Sequence, residues 1–257
     1  MRITGIQSDI VWEDPSANFD ALRPRLSRAA EEGARLCVLP EMFATGFSMA
    51  ADLVAPKAGE IRSFLAEEAS RLGLWILGGF AEPGEPRPRN AAALFDPQGR
   101  ERLLYHKVHP FSLAGENEVF EAGCTLETLD VEGLRVTPLI CYDLRFPEPF
   151  RRTAEGTDLF CVIANWPVVR SAAWRTLLRA RAMENQAFVL GVNRVGEGSG
   201  LVYRGDSALI DPMGEVIAAA AWQEAEVSGT VGAAQVRACR ERFSFLADRR
   251  VDLYPDL

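Results

Sequence analysis

Residues 93–105 read ALFDPQGRERLLY, and residues 208–220 read ALIDPMGEVIAAA. Each stretch combines an apolar strand, an Asp-Pro-x-Gly turn and a second strand, which is the pattern of a β-hairpin. The two hairpins lie in different halves of the chain. This repetition predicts two similar β-sheets within one domain.

Strands and helices alternate around the two hairpins. The predicted strands cover residues 3–9, 35–41, 74–80, 134–142, 158–165 and 187–195. The predicted helices cover residues 60–72, 147–155, 171–186 and 233–243. A further helix begins at Asp14-Pro15, which suits an N-cap and a first helical position, and ends at Gly33, although Pro24 lies inside it. Alternating elements with paired hairpins favour two packed sheets with helices outside.

The length of the chain, 257 residues, allows a core of good size. The only segment that resembles a linker, EPGEPRPR (82–89), is short enough to be a surface loop. We therefore expect a single domain over residues 1–257, in which FLADRRVDLYPDL (245–257) forms a C-terminal tail.

The composition limits the partners and the compartment. The formal net charge of −8 is spread along the chain without a basic block, so nucleic acid and anionic membranes are poor partners. No apolar run approaches the ~18 residues that a membrane span needs, and the N-terminus MRITGIQSDIVW lacks the features of a signal peptide. Five irregularly spaced cysteines without a CxxC pair fit a reducing cytoplasm better than a disulfide framework or a zinc site.

Three predicted strands end in reactive or large polar side chains. CVLP runs into Glu41, PLI runs into Cys141, and CVIA runs into residues 165–167, NWP. Ligand sites in α/β sheets favour the carboxyl ends of strands, so these endings predict a site. Lys107, in LLYHKVH at the end of a hairpin strand, is a fourth candidate.

Cys141 has two possible structural interpretations. Most free cysteines are small buried hydrophobes, but the turn YDLR (142–145) follows this one directly and can present its thiol to a cleft. An unperturbed thiol, with a pKa of roughly 8.5, needs a base or a nearby cation to attack. Glu41 can supply the base and Lys107 the cation. Their structural alternatives are a carboxylate that caps a loop and a solvated strand lysine.

His106 and His109 offer a competing Cys–His arrangement. Three residues separate them, so on a strand they point to opposite faces and at most one can serve. The sequence shows no clear partner that would orient either ring. Structural histidines are the preferred interpretation.

The three motifs together resemble those of the carbon–nitrogen hydrolase (nitrilase) superfamily, whose members share a Glu–Lys–Cys triad. They are LPEMFATGF around Glu41, YHKVHPF around Lys107 and LICYDLRFPE around Cys141, in that order. The resemblance covers nearly the whole chain. It implies a four-layer α-β-β-α sandwich of two mixed β-sheets with helices on the outer faces, and a mechanism without a metal or organic cofactor.

The resemblance also implies roles for individual residues. Cys141 would be the nucleophile and Glu41 the group that accepts its proton. Lys107 would stabilise the developing oxyanion, helped by the backbone N–H of Tyr142. A second glutamate would orient the site, and Glu116 in FSLAGENEVFEAG matches its position best, with Glu118 and Glu121 close by.

The substrate pocket is less defined by the sequence. The aromatic and proline residues that border the motifs either line it or belong to the core: Phe43, Trp166 and Pro167. A keto-acid substrate also requires a cation for its carboxylate, and three arginines are candidates without a choice among them: Arg145, Arg170 and Arg204.

Two further segments, residues 164–196 and 203–215 (YRGDSALIDPMGE), resemble the omega-amidases. These enzymes hydrolyse the terminal amide of 2-oxoglutaramate or 2-oxosuccinamate to the dicarboxylic keto acid and ammonia. Alternatives are a relative that acts on deaminated glutathione or a carbamoyl amine, and a non-catalytic interaction protein. By analogy with the family we expect a homodimer.

Overall fold

A computed structural model describes residues 1–253 of the protein. The strands are β1 (Arg2–Gln7), β2 (Leu36–Val38), β3 (Trp75–Glu82), β4 (Arg89–Phe95), β5 (Glu101–His106), β6 (Leu129–Val131), β7 (Leu134–Ile140), β8 (Leu159–Ala164), β9 (Phe188–Asn193), β10 (Val195–Gly198), β11 (Leu201–Ile210), β12 (Val216–Ala221) and β13 (Ala225–Thr230). The helices are α1 (Pro15–Glu31), α2 (Ala51–Val54), α3 (Ala58–Leu72), α4 (Glu116–Val119), α5 (Pro147–Thr153), α6 (Ser171–Asn185) and α7 (Ala233–Arg242). The end of the predicted tail, residues 254–257, lies outside the described residues.

The strands form two sheets. The first sheet has the order β13-β1-β2-β3-β4-β5, and the second has the order β10-β11-β9-β8-β7-β6, with β12 paired to β11. Strands β1, β2 and β3 run parallel to one another, as do β7, β8 and β9, and the remaining pairs are antiparallel. Both sheets are therefore mixed, as predicted.

The two matching sequence stretches form matching hairpins, β4–β5 in the first sheet and β11–β12 in the second. In each turn the aspartate side chain, Asp96 or Asp211, accepts a hydrogen bond from the amide two residues later, at 3.0 and 2.8 Å. Gly99 and Gly214 have φ values of 73° and 87°, which favour glycine. The repeat therefore predicts the local structure correctly in both sheets.

Apolar side chains from the inner faces of both sheets form the central core. They include Ile3, Leu36, Leu77, Val136, Leu139, Val162 and Leu190. Gly5 lies where β1 crosses β9, and a Cβ at this position would be 2.7 Å from Cγ2 of Val192. The missing side chain thus allows the close approach of the two sheets.

Helices cover the outer faces. On the first sheet, α1 and α3 bury an apolar stripe that includes Leu22, Leu26, Ile61 and Leu65. On the second sheet, α6 packs Leu178 so closely that a Cβ at Gly191 would be 2.5 Å from its Cδ1. The order helix, sheet, sheet, helix is the predicted four-layer sandwich. Within the described residues, none of the helices has the length and apolar character to cross a membrane.

Some predicted boundaries are wrong. The strand expected over residues 134–142 ends at Ile140, because residues 141–145 form a 3₁₀ turn. The strand expected over residues 35–41 is limited to Leu36–Val38. In both cases the chain leaves the sheet just before a candidate site residue, so the apolar run extends beyond the hydrogen-bonded strand.

Of two elements with a weak sequence pattern, the helix expected from Asp14-Pro15 to Gly33 is present, and the last strand of the first sheet is a departure. Helix α1 continues through Pro24, and its N-cap Asp14 accepts a hydrogen bond from the amide of Ala17 at 3.1 Å. Strand β13 has no clear apolar alternation and was not predicted. It pairs antiparallel with β1 and so brings residues 225–230 beside the start of the chain.

Candidate active site

Residues that follow four strands, two from each sheet, meet at one end of the sandwich. Glu41 follows β2 and Lys107 follows β5, both in the first sheet. Cys141 follows β7 and Asn165 follows β8, both in the second sheet. The structure therefore brings together three residues far apart in sequence, Glu41, Lys107 and Cys141, at the junction of the two sheets.

A buried network joins Lys107 to two glutamates. The Nζ of Lys107 donates hydrogen bonds to Oε1 of Glu41 at 3.0 Å and to Oε2 of Glu116 at 2.8 Å. Nδ2 of Asn90 also donates to both carboxylates, at 2.8 Å each. All four side chains are buried. The structure thus places Glu116, and neither of the two later glutamates, against the lysine.

Glu41 is held from the second sheet as well. Its Oε2 accepts a hydrogen bond from the amide of Asn165 at 2.8 Å, and its own carbonyl accepts one from Nδ2 of Asn165 at 2.5 Å. A Cβ at Gly79 would lie 2.9 Å from Cα of Glu41, so the glycine makes room for this loop. The carboxylate is consequently fixed in orientation by partners from both sheets.

Opposing effects act on the Lys107 ammonium. Burial lowers the pKa of Lys107, but the negative charges of Glu116 and Glu41 raise it by a larger amount. The resulting pKa is above its ordinary value. The buried Lys107 side chain is therefore held in its cationic form. Its charge is balanced by two carboxylates and also acts electrostatically on Cys141.

Cys141 begins the 3₁₀ turn after β7 with a φ of 47°, a strained value for a residue with a side chain. Asp143 holds this turn in place. Its Oδ2 accepts hydrogen bonds from the amide of Ile140 at 3.0 Å and from the hydroxyl of Tyr105 at 2.7 Å. The surrounding contacts thus impose the strained conformation that directs the thiol out of the strand.

The electrostatics of Cys141 differ from those of the strand cysteines. Burial and the charge of Glu41 raise the pKa of the Cys141 thiol well above its ordinary value, while the charge of Lys107 lowers it. Burial alone raises the pKa of Cys37 to about 12. Cys141 therefore rests as a thiol under the electrostatic influence of the Glu41 carboxylate and the Lys107 cation.

Both histidines have partners away from the thiol. Nδ1 of His109 lies 2.9 Å from Oδ1 of Asp143, and its ring stacks on Phe146 with centroids 3.8 Å apart. His106 forms a hydrogen bond with Glu82. These contacts fit the structural interpretation of the two rings.

A cavity of about 190 Å³ opens above Cys141. Its lining is mostly aromatic and apolar, with two arginines, and consists of Phe47, Met49, Phe111, Ala114, Cys141, Tyr142, Arg145, Asn165, Trp166, Pro167, Arg170, Ser199, Leu201 and Tyr203. Of the residues that border the motifs, Trp166 and Pro167 line this pocket, and Tyr142, whose backbone N–H is the expected oxyanion donor, lines it as well. Within residues 1–253, no three His, Cys, Asp or Glu side chains are grouped so that they could hold a metal ion.

Two pocket candidates lie elsewhere. Phe43 is fully buried among Phe19 and Phe64, with ring centroids 6.3 and 6.0 Å away, and does not line the cavity. Phe47, four residues later, lines it and lies with its ring 5.1 Å from Nζ of Lys107. Arg204 is also outside the lining, and its Nε lies 2.9 Å from Oδ2 of Asp206.

Sequence reasoning did not identify Asn90 or Tyr203. Asn90 is the single uncharged polar residue of β4, RNAAALF, and an amide at the start of an otherwise apolar strand was the available signal. Tyr203 lies in YRGDS, a segment used for the family resemblance and not for the site. Without knowledge of the strand register, Asn90 could not be placed in the buried network nor Tyr203 at the cavity.

The family model for carbon–nitrogen hydrolases matches residues 2–241. The chain is a carbon–nitrogen hydrolase. This carbon–nitrogen hydrolase is 38% identical to an omega-amidase of Escherichia coli (strain K12), across 95% of this chain and 94% of that one. It is 32% identical to a 2-oxoglutaramate amidase of Bacillus subtilis (strain 168), across 98% of each chain.

Solved structures agree with this assignment. A CN-hydrolase superfamily protein from Xanthomonas campestris, with an arsenic adduct in its active site, is 37% identical and superposes with a TM-score of 0.91 across 97% of each chain. An amidase from Nesterenkonia sp. is 28% identical, with a TM-score of 0.89 across 100% of this chain and 95% of that one. The carbon–nitrogen hydrolase is thus an enzyme that acts on carbon–nitrogen bonds other than peptide bonds, and the predicted family and fold are confirmed.

Proposed function

We propose that this carbon–nitrogen hydrolase is an omega-amidase, which releases ammonia from the terminal carboxamide of short 2-oxo acid amides such as 2-oxoglutaramate and 2-oxosuccinamate. The observation that carries the proposal is the buried Glu41–Lys107–Glu116 cluster beside the Cys141 thiol at the base of a small cavity. The relatives named omega-amidase and 2-oxoglutaramate amidase, at 38% and 32% identity, support the substrate class.

The first chemical step forms a bond between sulfur and the amide carbon. Glu41 accepts the thiol proton as Cys141 attacks, and the carbonyl electron pair moves to the oxygen. The Lys107 cation, with the backbone N–H of Tyr142, stabilises that oxyanion. Because the thiol pKa is raised, attack and proton transfer are coupled, and no free thiolate is exposed to solvent beforehand.

The second step expels the nitrogen. An amide nitrogen leaves only when it is protonated, so Glu41 returns the proton to it, ammonia departs and a thioester remains on Cys141. Glu41 then removes a proton from water, the resulting hydroxide attacks the thioester, and the acid product and the thiol are released. Glu116 orients this cycle indirectly, since it holds Lys107 and shares Asn90 with Glu41.

The size of the cavity favours short substrates. A volume of about 190 Å³ is smaller than the roughly 300–1,000 Å³ typical of pockets for drug-sized ligands. A five-carbon keto-acid amide fits this scale better than deaminated glutathione.

A substrate panel tests the proposal. We expect ammonia release from 2-oxoglutaramate and 2-oxosuccinamate with kcat/KM values far above those for glutamine, asparagine and simple nitriles. The Cys141→Ala variant controls for ammonia from spontaneous hydrolysis. Good activity on nitriles with none on 2-oxoglutaramate would refute the substrate assignment.

We also propose that residues 1–257 form one domain and that the protein is a cytoplasmic homodimer. The shared core of the two sheets supports one domain, and five free cysteines fit a reducing compartment.

Exposed apolar side chains on and beside α6 and β12 support a dimer, among them Met183, Met213, Val216 and Ile217. Light scattering on the purified protein would give its mass, a single unfolding transition would support one domain, and cell fractionation would locate it.

A further inference from the structure

Two arginines line the cavity without a carboxylate partner. Among the described residues, neither Arg145 nor Arg170 forms an ion pair with Asp or Glu, whereas Arg204, the third candidate, is paired with Asp206. The cavity lining within residues 1–253 contains no Asp or Glu at all. The wall above Cys141 therefore carries an uncompensated positive charge.

Aromatic rings hold both guanidinium groups. Arg170 lies over the ring of Phe111, with 5.1 Å from Cζ to the centroid, and Arg145 lies over Trp166 at the same distance. The indole N–H of Trp166 also donates to the carbonyl of Arg170 at 2.8 Å. Stacking fixes the plane of each guanidinium but leaves its in-plane N–H donors available. Such donors match the two oxygens of a carboxylate.

We infer that Arg170, assisted by Arg145, binds the carboxylate of the substrate while the amide end meets Cys141. This inference rests on the proposed function and specifies how that site selects its substrates. Arg170 is the principal ligand because it is half-buried, whereas Arg145 is exposed. Hydrogen bonds to charged groups are stronger where less water competes for them.

Arg170 and Arg145 also discriminate between 2-oxo acids and amino acids. Glutamine carries an ammonium group on the carbon next to its carboxylate, and the described lining offers that cation no acidic partner. Its positive charge would instead lie near two guanidinium groups. Like charges at close range disfavour binding, so the arginines both attract a carboxylate and exclude an α-amine.

Paired substrates test the assignment. Glutaric acid monoamide carries the carboxylate, and pentanamide replaces it with a methyl group. We expect the ratio of their kcat/KM values to fall about ten- to a hundredfold in Arg170→Gln, the effect of one lost charged hydrogen-bond pair. The fall should be smaller in Arg145→Gln, and Arg170→Lys should recover part of it. Arg28→Gln, on the exposed face of α1, is the matched control.

Each outcome decides the matter. An unchanged ratio in Arg170→Gln, or a wild-type preference for pentanamide, would overturn the assignment. Glutarate should competitively inhibit pentanamide hydrolysis by the wild type, and its failure to do so would overturn the assignment even if Arg170→Gln did not fold. If the wild type hydrolyses glutaric acid monoamide but not 2-oxoglutaramate, the proposed function fails and the arginine assignment stands.

Discussion

Cys141 has a cation and two carboxylates as neighbours, and its reactivity depends on how they share one proton. Burial and Glu41 raise the pKa of its thiol, and Lys107 lowers it. Sulfur is large and polarisable, and its proton can be moved to a carboxylate without a strong base. An oxygen nucleophile in the same place would present a much higher barrier.

Cys141→Ala should abolish ammonia release and change the free energy of unfolding by less than about 1 kcal/mol, because one thiol contributes little packing. Cys141→Ser should be inactive as well, since the far higher pKa of a hydroxyl leaves almost no anion. Ammonia assays and urea denaturation would measure both effects. Cys161→Ala, within β8, is the control and should keep turnover. Substantial turnover in purified Cys141→Ala would exclude the covalent mechanism.

Lys107→Met should reduce kcat by at least 10²–10³, the cost of one oxyanion donor. It should also destabilise the fold by roughly 3–5 kcal/mol, because the two buried carboxylates lose their cation. Adding Glu116→Gln removes one of these charges. The double variant should therefore regain part of the unfolding free energy but no turnover, as measured by urea denaturation and ammonia release.

The opposite result would count against this assignment. If Lys107→Met retained near wild-type kcat, the oxyanion role would be wrong. If Glu116→Gln in that background restored activity together with stability, Lys107 would be only a structural cation. Glu116→Gln alone is the matched control for the effect of the glutamine itself.

The reactive residues could be predicted from sequence because each lies in a motif with distinctive neighbours, as Glu41 and Cys141 do. Asn90 could not, since an asparagine in an apolar strand gives no sign of what lies across the sheet. Phe43 and Phe47 could not be told apart either. The chain turns after β2 with a φ of 43° at Met42, so strand alternation no longer tells which ring faces the cavity.

The two hairpins have the same backbone turn but different side-chain partners. Asp96 is buried and lies 2.9 Å from Arg100 and 3.2 Å from Arg102. Asp211 accepts hydrogen bonds from the amides of Met213 and Glu215, and within residues 1–253 it has no arginine partner. The first hairpin is thus secured by charge as well as by backbone geometry.

Asp96→Asn should lower the free energy of unfolding at pH 7 by about 1–3 kcal/mol, since charged hydrogen bonds are lost. Burial raises the pKa of Asp96, but the hydrogen bonds from Arg100 and Arg102 bring that pKa below its ordinary value. The stabilisation is therefore fully present above the unfolded pKa of about 3.9 and is lost as the pH falls through the lower folded pKa. Urea denaturation at several pH values measures the difference.

Asp211→Asn is the control for this prediction and should cost less, because no arginine is left unpaired. The difference between wild type and Asp96→Asn should shrink below about pH 4. A difference that persisted unchanged to pH 3, or equal losses in the two hairpins, would show that the arginine contacts contribute nothing.

Element prediction succeeded where local chemistry decides the structure. The Asp-Pro-x-Gly turns and the cap at Asp14 depend on residues close in sequence. Strand β13 depends instead on β1, more than 200 positions away, and its Ala-Glu-Val-Ser-Gly-Thr sequence has little alternation of its own. Such a strand exists because a partner edge is available, which no local pattern reveals.

At the scale of the whole molecule, the site is divided between the two sheets. Glu41 and Lys107 belong to the first sheet, and Cys141 and Asn165 to the second. Their alignment depends on the separation of the sheets, which is set partly by Gly5 against Val192. Motif order could predict that these residues meet, but the spacing of the sheets follows from packing across the core.

Gly5→Ala should therefore impair activity as well as stability. Its new Cβ would lie 2.7 Å from Cγ2 of Val192, so the Val192 side chain or the strand that carries it must shift, at a cost of roughly 1–3 kcal/mol. A displacement of about 1 Å at the site can cost on the order of 10²-fold in rate. Gly59→Ala on α3 is the control, since nothing lies within 4 Å of its added Cβ.

The double variant Gly5→Ala/Val192→Ala distinguishes sheet spacing from a general loss of stability. Val192→Ala removes the methyl groups that the new Cβ would meet. The Cβ added by Gly5→Ala then fills part of the space that Val192→Ala leaves. The combined loss of unfolding free energy should be smaller than the sum of the two single losses, and kcat/KM should return toward the wild-type value. Strictly additive losses in stability and activity would mean that Gly5 does not control the distance between Glu41 and Cys141.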